Sequence, residues 1–405
     1  MSSCQNPAKE ILQGNVTFTN KIYQILSRKP GNVFFSPFSL HVVLAMAYQG
    51  ARNETLERLQ KVLEIPDPLN TATGYKEIIH HLTTLENVLL QMAFKIYLKK
   101  DKQLMPSFEN TVKEYFDSEV ELVDFKQRTE TAKKVNDWVA EKTHGKIRDI
   151  VDEESVSSSS VFLLNALYFK GDWDSPFYEG DTREMPFYLN DDNVVQVQMM
   201  TDRKRAPYKF DEQLNSQILA LPYCGDEVHM VIILPEEKNG IGKLEAAISK
   251  INLSEILTDL HVRKVDVSLP KFKFDSSTEM DDVVKEMGLE LIYHDRKADF
   301  RDMARLSPAQ NLYVTKIVQK ACIEVNEKGA EAAVTTGKYA DHAGTQDRSN
   351  DKGLVVEMDI IECSVRVKCK VYKFVVDHPA IFMVVVGKAE NMNILFYGRL
   401  YHPKY

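Results

Sequence analysis

The chain lacks most of the features that mark membrane-spanning, secreted or disulfide-stapled proteins. No window approaches 18 uninterrupted apolar residues, so the sequence predicts no membrane span. Residues 1–13 contain no apolar signal region, which leaves an intracellular protein or one whose signal has been removed. The odd number and wide spacing of the cysteines argue against a disulfide framework. They are Cys4, Cys224, Cys322, Cys363 and Cys369, and the last two form the one near pair that could bridge in an oxidising compartment.

Catalytic and cofactor motifs are missing as well. There is no HExxH, paired CxxC, P-loop or Gly-rich dinucleotide fingerprint, and no Gly-x-Ser-x-Gly elbow supplies a nucleophile. His80 and His81 are neighbours in a predicted helix and cannot share a metal-binding face. His378, in the Asp-His-Pro sequence at 377–379, is interpreted as part of a turn between two strands. The sequence therefore predicts no enzyme, no metal and no cofactor, and its net charge of −8 argues against a nucleic-acid partner.

The composition that is present, 44% hydrophobic and 27% charged over 405 residues, is that of an ordinary globular protein with a large core. Helical periodicity dominates the first 150 residues, and strand patterns dominate from about residue 185 onward. Helices first and strands later predict an α+β fold. Because no Pro/Ser-rich linker or internal repeat interrupts the chain, we predict one domain over residues 1–405.

Individual elements follow from the same patterns. Ser36-Pro37 is a typical helix start. The apolar run at 161–169 predicts a strand buried on both faces, inside which Asn165 needs hydrogen-bond partners. The predicted helices are 9–26, 39–63, 132–144 and 278–287, and the other predicted strands are 217–223, 228–234, 264–274, 312–325, 372–376, 380–386 and 394–400.

The most informative stretch is 325–337, Val-Asn-Glu-Lys-Gly-Ala-Glu-Ala-Ala-Val-Thr-Thr-Gly. Between Gly329 and Gly337 every side chain except Glu331 is small, and alternate positions would share one buried face of an extended chain. The stretch also begins with glycine and leads into the polar residues 338–353, which predict a solvated loop. Residues 354–368 then alternate apolar and charged side chains, as an edge strand or hairpin does. A segment suited to both loop and strand is a candidate conformational switch.

A series of motifs runs in order along nearly the whole chain. Asn-Val-Phe-Phe-Ser-Pro-Phe-Ser-Leu lies at 32–40, Val-Asn-Asp-Trp-Val at 135–139, and Leu-Asn-Ala-Leu-Tyr-Phe-Lys-Gly-Asp-Trp at 164–173. Leu-Pro-Tyr at 221–223, Ala-Asp-Phe at 298–300, Asp-His-Pro at 377–379 and Leu-Phe-Tyr-Gly-Arg at 395–399 follow. Together they resemble the motifs of the serpins. The resemblance implies three β-sheets, about nine helices and an exposed reactive-centre loop, here residues 329–373.

The resemblance also implies a mechanism and a set of roles. A protease cuts the loop as a substrate, and at the acyl-enzyme stage the loop inserts into the central sheet and distorts the tethered protease. The implied hinge is Glu327, Lys328, Gly329, Ala330, Glu331, Ala332 and Ala333. The implied brace at the top of the sheet is Lys271 with Trp173, and the implied mid-sheet polar cluster is Ser36, Ser39, Asn165 and Gln319.

One residue of this cluster departs from the family. Serpins usually have a histidine at the position of Gln319, so a pH-sensitive opening through that position is in doubt.

Two counts for the scissile bond disagree. The family's spacing of 16 residues from the hinge glutamate gives Ala343-Gly344, whereas counting back from Pro379 gives Lys368. A tether of about 16 residues spans roughly 50 Å as a strand, while a longer one would leave slack. We therefore predict cleavage at Ala343-Gly344 by an elastase-like protease, with Arg348 and Lys368 as alternatives. Residues 344–368 are then an extra segment, which could dock a protease or cover the top of the sheet.

The partner implied by the resemblance is a target protease, of the serine type, bound by a monomeric inhibitor. A non-inhibitory serpin acting as a carrier or chaperone is one alternative, although the small hinge residues favour inhibition. An inhibitor of cysteine proteases on the same fold is another. Glycosylation at the sequons that begin at Asn15, Asn53 and Asn252 stays open.

Overall fold

The computed structural model describes residues 6–156, 160–307, 311–329 and 370–405. Within them the chain forms eight α-helices, close to the nine expected, together with short 3₁₀ and π segments. The helices are α1 (Pro7–Leu26), α2 (Pro37–Gln49), α3 (Asn53–Leu63), α4 (Pro68–Thr83), α5 (Pro106–Phe116), α6 (Arg128–Lys142), α7 (Ile241–Ile248) and α8 (Asp281–Val284). None of them is long and apolar enough to span a membrane.

Sixteen strands complete the α+β fold in the described residues. They are β1 (Val33–Phe35), β2 (Val88–Lys99), β3 (Gln103–Leu104), β4 (Glu119–Val123), β5 (Val161–Gly171), β6 (Arg183–Tyr188), β7 (Val194–Asp211), β8 (Ser216–Pro222), β9 (Val228–Pro235), β10 (His261–Pro270), β11 (Phe272–Glu279), β12 (Ala304–Arg305), β13 (Val314–Val325), β14 (Val371–Val375), β15 (Ala380–Val386) and β16 (Asn393–Leu400). The α+β prediction is confirmed.

The strands form three sheets in the described part of the chain. A nine-stranded sheet has the order β1-β16-β15-β9-β8-β7-β10-β14, with β6 paired to β7. A five-stranded sheet has the order β11-β13-β5-β2-β4, and β3 pairs with β12. The five-stranded sheet positions the candidate site.

The central strand β5 is buried on both faces, as the sequence predicted. Val161, Leu163 and Leu167 belong to the main core, which also contains α2. The alternate residues, among them Phe162 and Leu164, pack with α6 in a second core. Because side chains alternate across a strand, a continuous apolar run is what such a two-sided position requires. The five-stranded sheet is therefore enclosed between α2 on one side and α6 on the other.

The helix predicted at 39–63 is wrong as a single element. Ser36 caps α2, and its Oγ accepts from Ser39 N over 3.2 Å. The helix ends at Gly50, where a Cβ would lie 2.2 Å from Met303 Cγ, and Arg52 N then donates to Asp299 O over 2.9 Å. Contact with the distant segment at 299–303 divides the apolar pattern into α2 and α3.

Two other predicted elements need correction. The strand at 264–274 is two strands, β10 in the nine-stranded sheet and β11 in the five-stranded sheet, joined at Lys271. The helix at 278–287 is also wrong at its start, because Thr278 pairs with Gln319 as part of β11. The short helix α8 and a π segment, Lys285–Leu289, cover most of the rest of the predicted range.

The three sequons differ in accessibility. Asn15 is 1% exposed within α1, so the folded chain does not present it for glycosylation. Asn53 and Asn252 are exposed.

Candidate functional site

The two central strands of the five-stranded sheet, β5 and β13, run parallel and are paired along most of their length. Their ladder runs from Val161 opposite Val314 to Tyr168 opposite Cys322. Both strands continue beyond this point, β5 along β2 to Gly171 and β13 along β11 to Val325. Within the described residues, the two strands therefore part at their carboxyl ends while each keeps its outer neighbour. The parted ends form a notch at the top of the sheet.

A buried polar network joins the two strands at mid-sheet. Gln319 lies opposite Asn165 in the ladder, and its Nε2 donates to Asn165 Oδ1 over 2.9 Å and to Ser39 Oγ over 3.0 Å. Ser39 Oγ donates to Asn165 Oδ1 over 2.7 Å, and Asn165 Nδ2 donates to Val318 O over 3.2 Å. Asn165 thus has the partners that its burial requires.

The same network ties the strands to the start of α2. Ser36 N donates to Gln319 Oε1 over 3.0 Å, and Gln319 Nε2 also donates to Ser36 O over 2.7 Å. Ser36 Oγ donates to Leu395 O of β16 over 2.7 Å. The four residues that the resemblance assigned to the mid-sheet cluster are joined in one hydrogen-bonded network, and each is at most 1% exposed.

An ion pair lies directly above the notch. Lys271 Nζ is 3.0 Å from Glu327 Oε2, and Thr182 Oγ1 donates to Glu327 Oε1 over 2.8 Å. Burial alone would raise the pKa of Glu327, but the hydrogen bonds from Thr182 and Lys271 and the charge of Lys271 hold it below its usual value. Lys271 Nζ also lies 4.4 Å from the centre of the Tyr405 ring. Lys271, which joins β10 to β11, is therefore held by both Glu327 and Tyr405.

Trp173 closes the notch from the β5 side. Its Nε1 donates to Asn326 O over 2.9 Å, and its backbone N donates to Lys328 O over 2.7 Å. The indole stacks on Tyr223, with ring centres 4.4 Å apart. These contacts hold the residues that follow β13 against the end of β5.

Gly329 occupies a position that only glycine fits. Its φ is +147°, and a Cβ there would lie 2.0 Å from Gly171 O. Asn326 Oδ1 accepts from the backbone N of Lys328 and of Gly329, which forms a tight turn over 326–329. Gly329 then forms an antiparallel bridge with Asp172. The chain has therefore reversed its direction by Gly329 and lies beside the end of β5.

The remaining sequence-predicted residues fall outside the described residues. They are the hinge residues Ala330, Glu331, Ala332 and Ala333, the scissile candidates Ala343-Gly344, Arg348 and Lys368, and the cysteines Cys363 and Cys369. The extra segment 344–368 and its edge-strand pattern also lie there, so these predictions stay predictions.

Sequence reasoning missed two residues that hold Glu327 and Gly329, which the resemblance places in the hinge. Asn326 had a local signal, because an asparagine side chain often accepts from the backbone N–H groups two and three residues later and so forms an Asx turn. Thr182 had none, since 145 residues separate it from Glu327.

The Asp-His-Pro turn has a packing role in the structure. His378 Nε2 lies 2.8 Å from Pro235 O, and its Nδ1 lies 2.6 Å from Asp377 Oδ1. Both ring nitrogens of His378 are therefore within hydrogen-bond distance of a neighbouring oxygen. No group of three or more potential metal ligands occurs among the described residues.

Comparison with known proteins assigns the family. A family model described as Serpin (serine protease inhibitor) matches residues 13–403. The chain belongs to the serpin family. This serpin is 34% identical over 339 residues to antitrypsin of Bombyx mori, a match that covers 82% of this chain and 85% of the relative. It is 30% identical over 406 residues to leukocyte elastase inhibitor of Bos taurus, covering 98% of this chain and all of the relative.

Solved structures agree with the fold. The crystal structure of Serpin48, described as a highly specific serpin in the insect Tenebrio molitor, matches with a TM-score of 0.82 and 31% identity over 98% of both chains. The serpin resemblance and the serpin fold are thus confirmed. Because the family is described as one of protease inhibitors, the prediction that this serpin is not an enzyme is confirmed at the level of the family.

Proposed function

We propose that this serpin is a single-use inhibitor of a serine protease with a small S1 pocket. The protease attacks Ala343-Gly344 and forms an acyl-enzyme, and the cut loop then inserts between β5 and β13. The observation that carries this proposal is the notch between two adjacent parallel strands, with Gly329 already bridged to Asp172 beside it. The name of the bovine relative, leukocyte elastase inhibitor, agrees with a small residue at the cleavage position.

The directions of the strands favour insertion at this place. The chain leaves the carboxyl end of β13 and reverses at 326–329, so a strand that continued from Gly329 would be antiparallel to both β5 and β13. Insertion would replace one parallel ladder by two antiparallel ones, which are slightly more stable per residue. It would also give ladder partners to the facing backbone groups of β5 and β13 beyond Tyr168 and Cys322, and this would supply a driving force for the switch.

The Asp172–Gly329 bridge sets a register for the inserted strand. Continued down β5, that register places residue 340 opposite Val161, the first residue of the strand. Ala343 then lies three residues beyond the end of β5, whereas Lys368 lies 28 residues beyond it. A protease attached at Ala343 would be drawn against the far edge of the sheet, while one attached at Lys368 would remain on a slack tether. The length of the sheet therefore supports cleavage at Ala343 rather than at Lys368.

The same register assigns the loop's side chains to the two faces. Ala330, Ala332, Val334 and Thr336 would lie opposite the β5 residues that face the main core, where little space is free. Glu331 would lie opposite Lys170, on the other face. This register therefore needs small side chains on one face and a carboxylate beside a lysine on the other face, and the loop sequence has both.

The decisive experiment incubates the serpin with pancreatic elastase and examines the mixture by denaturing gel electrophoresis. We expect a covalent complex at the summed mass, and we expect the loop-cleaved chain to melt tens of degrees above the intact chain. Because a covalent complex requires trapping at the acyl stage, simple cleavage of the chain by every protease of a serine and cysteine panel would overturn the proposal. Trapping of a cysteine protease alone would overturn the assignment to serine proteases.

A further inference from the structure

Three neighbouring strands of the nine-stranded sheet carry a strongly basic outer face. In the register of β7, β10 and β14, Arg203, Asp266 and Lys373 form one row across the sheet. Arg205 and Lys264 form the next row. We call these five residues the basic face. It contains four cations and one carboxylate, and it lies at the sheet edge formed by β14 in the described residues.

The single carboxylate does not neutralise this face. Arg203 Nε is 2.6 Å from Asp266 Oδ1, and the guanidinium, with a smaller effect from Lys373, holds the pKa of Asp266 below its usual value. Arg205 and Lys264 lie directly opposite each other and have no ion-pair partner within 4.0 Å among the described residues. Like charges facing each other across two strands are destabilising, so an anion bound here would relieve a repulsion.

Apolar surface continues from the basic face. Val262 lies opposite Pro207 in the next row of the sheet and is 58% exposed. Beside it is an open hollow of about 420 Å³ with apolar lining at Leu257, Leu260 and Pro222. Its charged lining consists of two cations, Arg205 and Lys388, and two carboxylates, Asp174 and Asp226. Exposed apolar surface bordered by charge is typical of a site that binds another peptide segment. The occupant that fits is therefore a segment with both acidic and apolar side chains.

We propose that the basic face and the adjoining hollow bind residues 354–362 of this same chain. That segment reads Leu-Val-Val-Glu-Met-Asp-Ile-Ile-Glu, with three carboxylates, no basic residue and six apolar residues. Its charge is opposite to that of the surface, and its apolar residues match the exposed Val262 and the hollow.

The connection between segment and surface is short. Eight residue steps separate residue 362 from Lys370, a reach of about 26 Å at about 3.3 Å per residue. The strand β14 begins at Val371, which lies beside Lys264 in the sheet register. A tether of this length gives an effective concentration in the millimolar range, so even weak contacts would keep the segment bound.

This inference goes beyond the proposed inhibition and does not depend on it. If the segment binds here, the long loop is divided into a part that precedes residue 344 and can insert, and a part that is retained on the nine-stranded sheet. The retained residues all follow Ala343, so they lie outside the tether that would join the acyl-enzyme to the sheet.

The first test is zero-length carbodiimide cross-linking of the full-length chain, followed by peptide mapping. We expect cross-links from Lys264 or Lys373 to Glu357, Asp359 or Glu362. The exposed ion pair of Lys9 with Glu390, at 2.7 Å, is an internal control that must cross-link. Absence of the predicted cross-links while the control pair reacts would overturn the proposal. If mixed ¹⁴N and ¹⁵N chains show these cross-links only between copies, the occupant is a second molecule and the proposal is wrong.

The second test measures acetylation rates of lysine side chains in the intact protein. The triple variant Glu357→Gln, Asp359→Asn and Glu362→Gln is expected to raise the rates at Lys264 and Lys373 severalfold. Lys113, an exposed lysine of α5, should not change. Raising the salt concentration of the unsubstituted protein should produce the same increase, because screening weakens exposed ion pairs. Equal rates in the variant and the unsubstituted protein would contradict the inference.

Discussion

The side-chain amides of Asn165 and Gln319 meet across the junction of β5 and β13, where Gln319 Nε2 donates to Asn165 Oδ1 over 2.9 Å. The same two residues are partners in the parallel ladder. In the proposed mechanism, a strand inserted between β5 and β13 would separate them, so this hydrogen bond would belong to the intact state alone. It would then act as a lock that stabilises the closed sheet and opposes insertion.

Replacing Gln319 with alanine should weaken that lock. The change removes the Gln319 acceptor of the buried Ser36 N and creates a cavity, so we expect the free energy of unfolding of the intact chain to fall by about 2–4 kcal/mol. Urea denaturation measures it, with Gln213→Ala, at an exposed glutamine, as the control. After loop cleavage the loss should be smaller, because insertion has already separated Gln319 from Asn165. An equal loss in both forms would contradict the role of the pair as a lock.

Replacing Gly329 with alanine should impair insertion. A Cβ at this position would lie 2.0 Å from Gly171 O, and a side chain at φ +147° adds backbone strain of about 1–3 kcal/mol. We expect slower insertion, so that more protease escapes by deacylation and the stoichiometry of inhibition rises. Gly31→Ala is the matched control, since Gly31 also has a positive φ of +91° but no atom within 4 Å of the place that a methyl group would occupy. The prediction fails if both variants inhibit with the stoichiometry of the original chain.

The Glu327–Lys271 pair should make stability depend on pH in the acid range. The pKa of Glu327 is lower in the folded chain than its unfolded value of about 4.3, so its contribution is fully present above that value and is lost as the pH falls through the folded pKa. The variant Glu327→Gln should therefore be less stable by a constant amount above about pH 5. The difference should shrink as the solution is acidified further.

Denaturant unfolding at a series of pH values measures this difference. Glu57→Gln provides a comparison, because Glu57 is an exposed residue of α3 with no ion-pair partner among the described residues. A gap between Glu327→Gln and the original chain that stayed constant down to pH 3 would show that Glu327 is not stabilised as an anion.

The cleavage position can be read directly from the released peptide. Mass spectrometry after elastase treatment should give a carboxyl-terminal fragment that begins at Gly344. The variant Ala343→Arg should transfer inhibition to a trypsin-like protease, whereas Arg348→Ala should leave elastase inhibition unchanged. Cleavage only after Lys338, Arg348, Lys352 or Lys368 would rule out Ala343 as the scissile residue.

The insertion register predicts a contact that forms only after cleavage. Glu331 would then lie opposite the half-buried Lys170, and an ion pair near the surface contributes about 0.2–1 kcal/mol. A double-mutant cycle of Lys170→Ala and Glu331→Ala should show this coupling in the cleaved chain and none in the intact chain. Coupling of equal size in both forms, or in neither, would argue against this register.

Local patterns determined much of the site. The apolar run at 161–169 predicted a doubly buried strand, and the structure has β5 there. Ser36-Pro37 predicted a helix start, and Ser36 caps α2. These features depend on interactions within a few residues, so the sequence carries them directly.

Other elements had no local signal strong enough to predict them. The strand β2 was missed because Gln91 and Lys95 interrupt its apolar run, although both are buried. Lys95 is accommodated by Glu119 and Glu121 of the β4 strand beside it, at 3.1 and 2.8 Å. Such a charge is tolerated in the interior only because its partners arrive from elsewhere in the chain.

The sequence by itself determined the family and the α+β fold, because these are recorded in composition, periodicity and ordered motifs. Only the tertiary structure decided that the strand pattern at 264–274 divides between two sheets at Lys271, that Thr182 supports Glu327, and that β5 and β13 part above Tyr168 and Cys322. Hydrogen bonds between strands join backbone groups that are chemically alike at every residue. Which strands become neighbours, and where they separate, is therefore fixed by the packing of the whole chain.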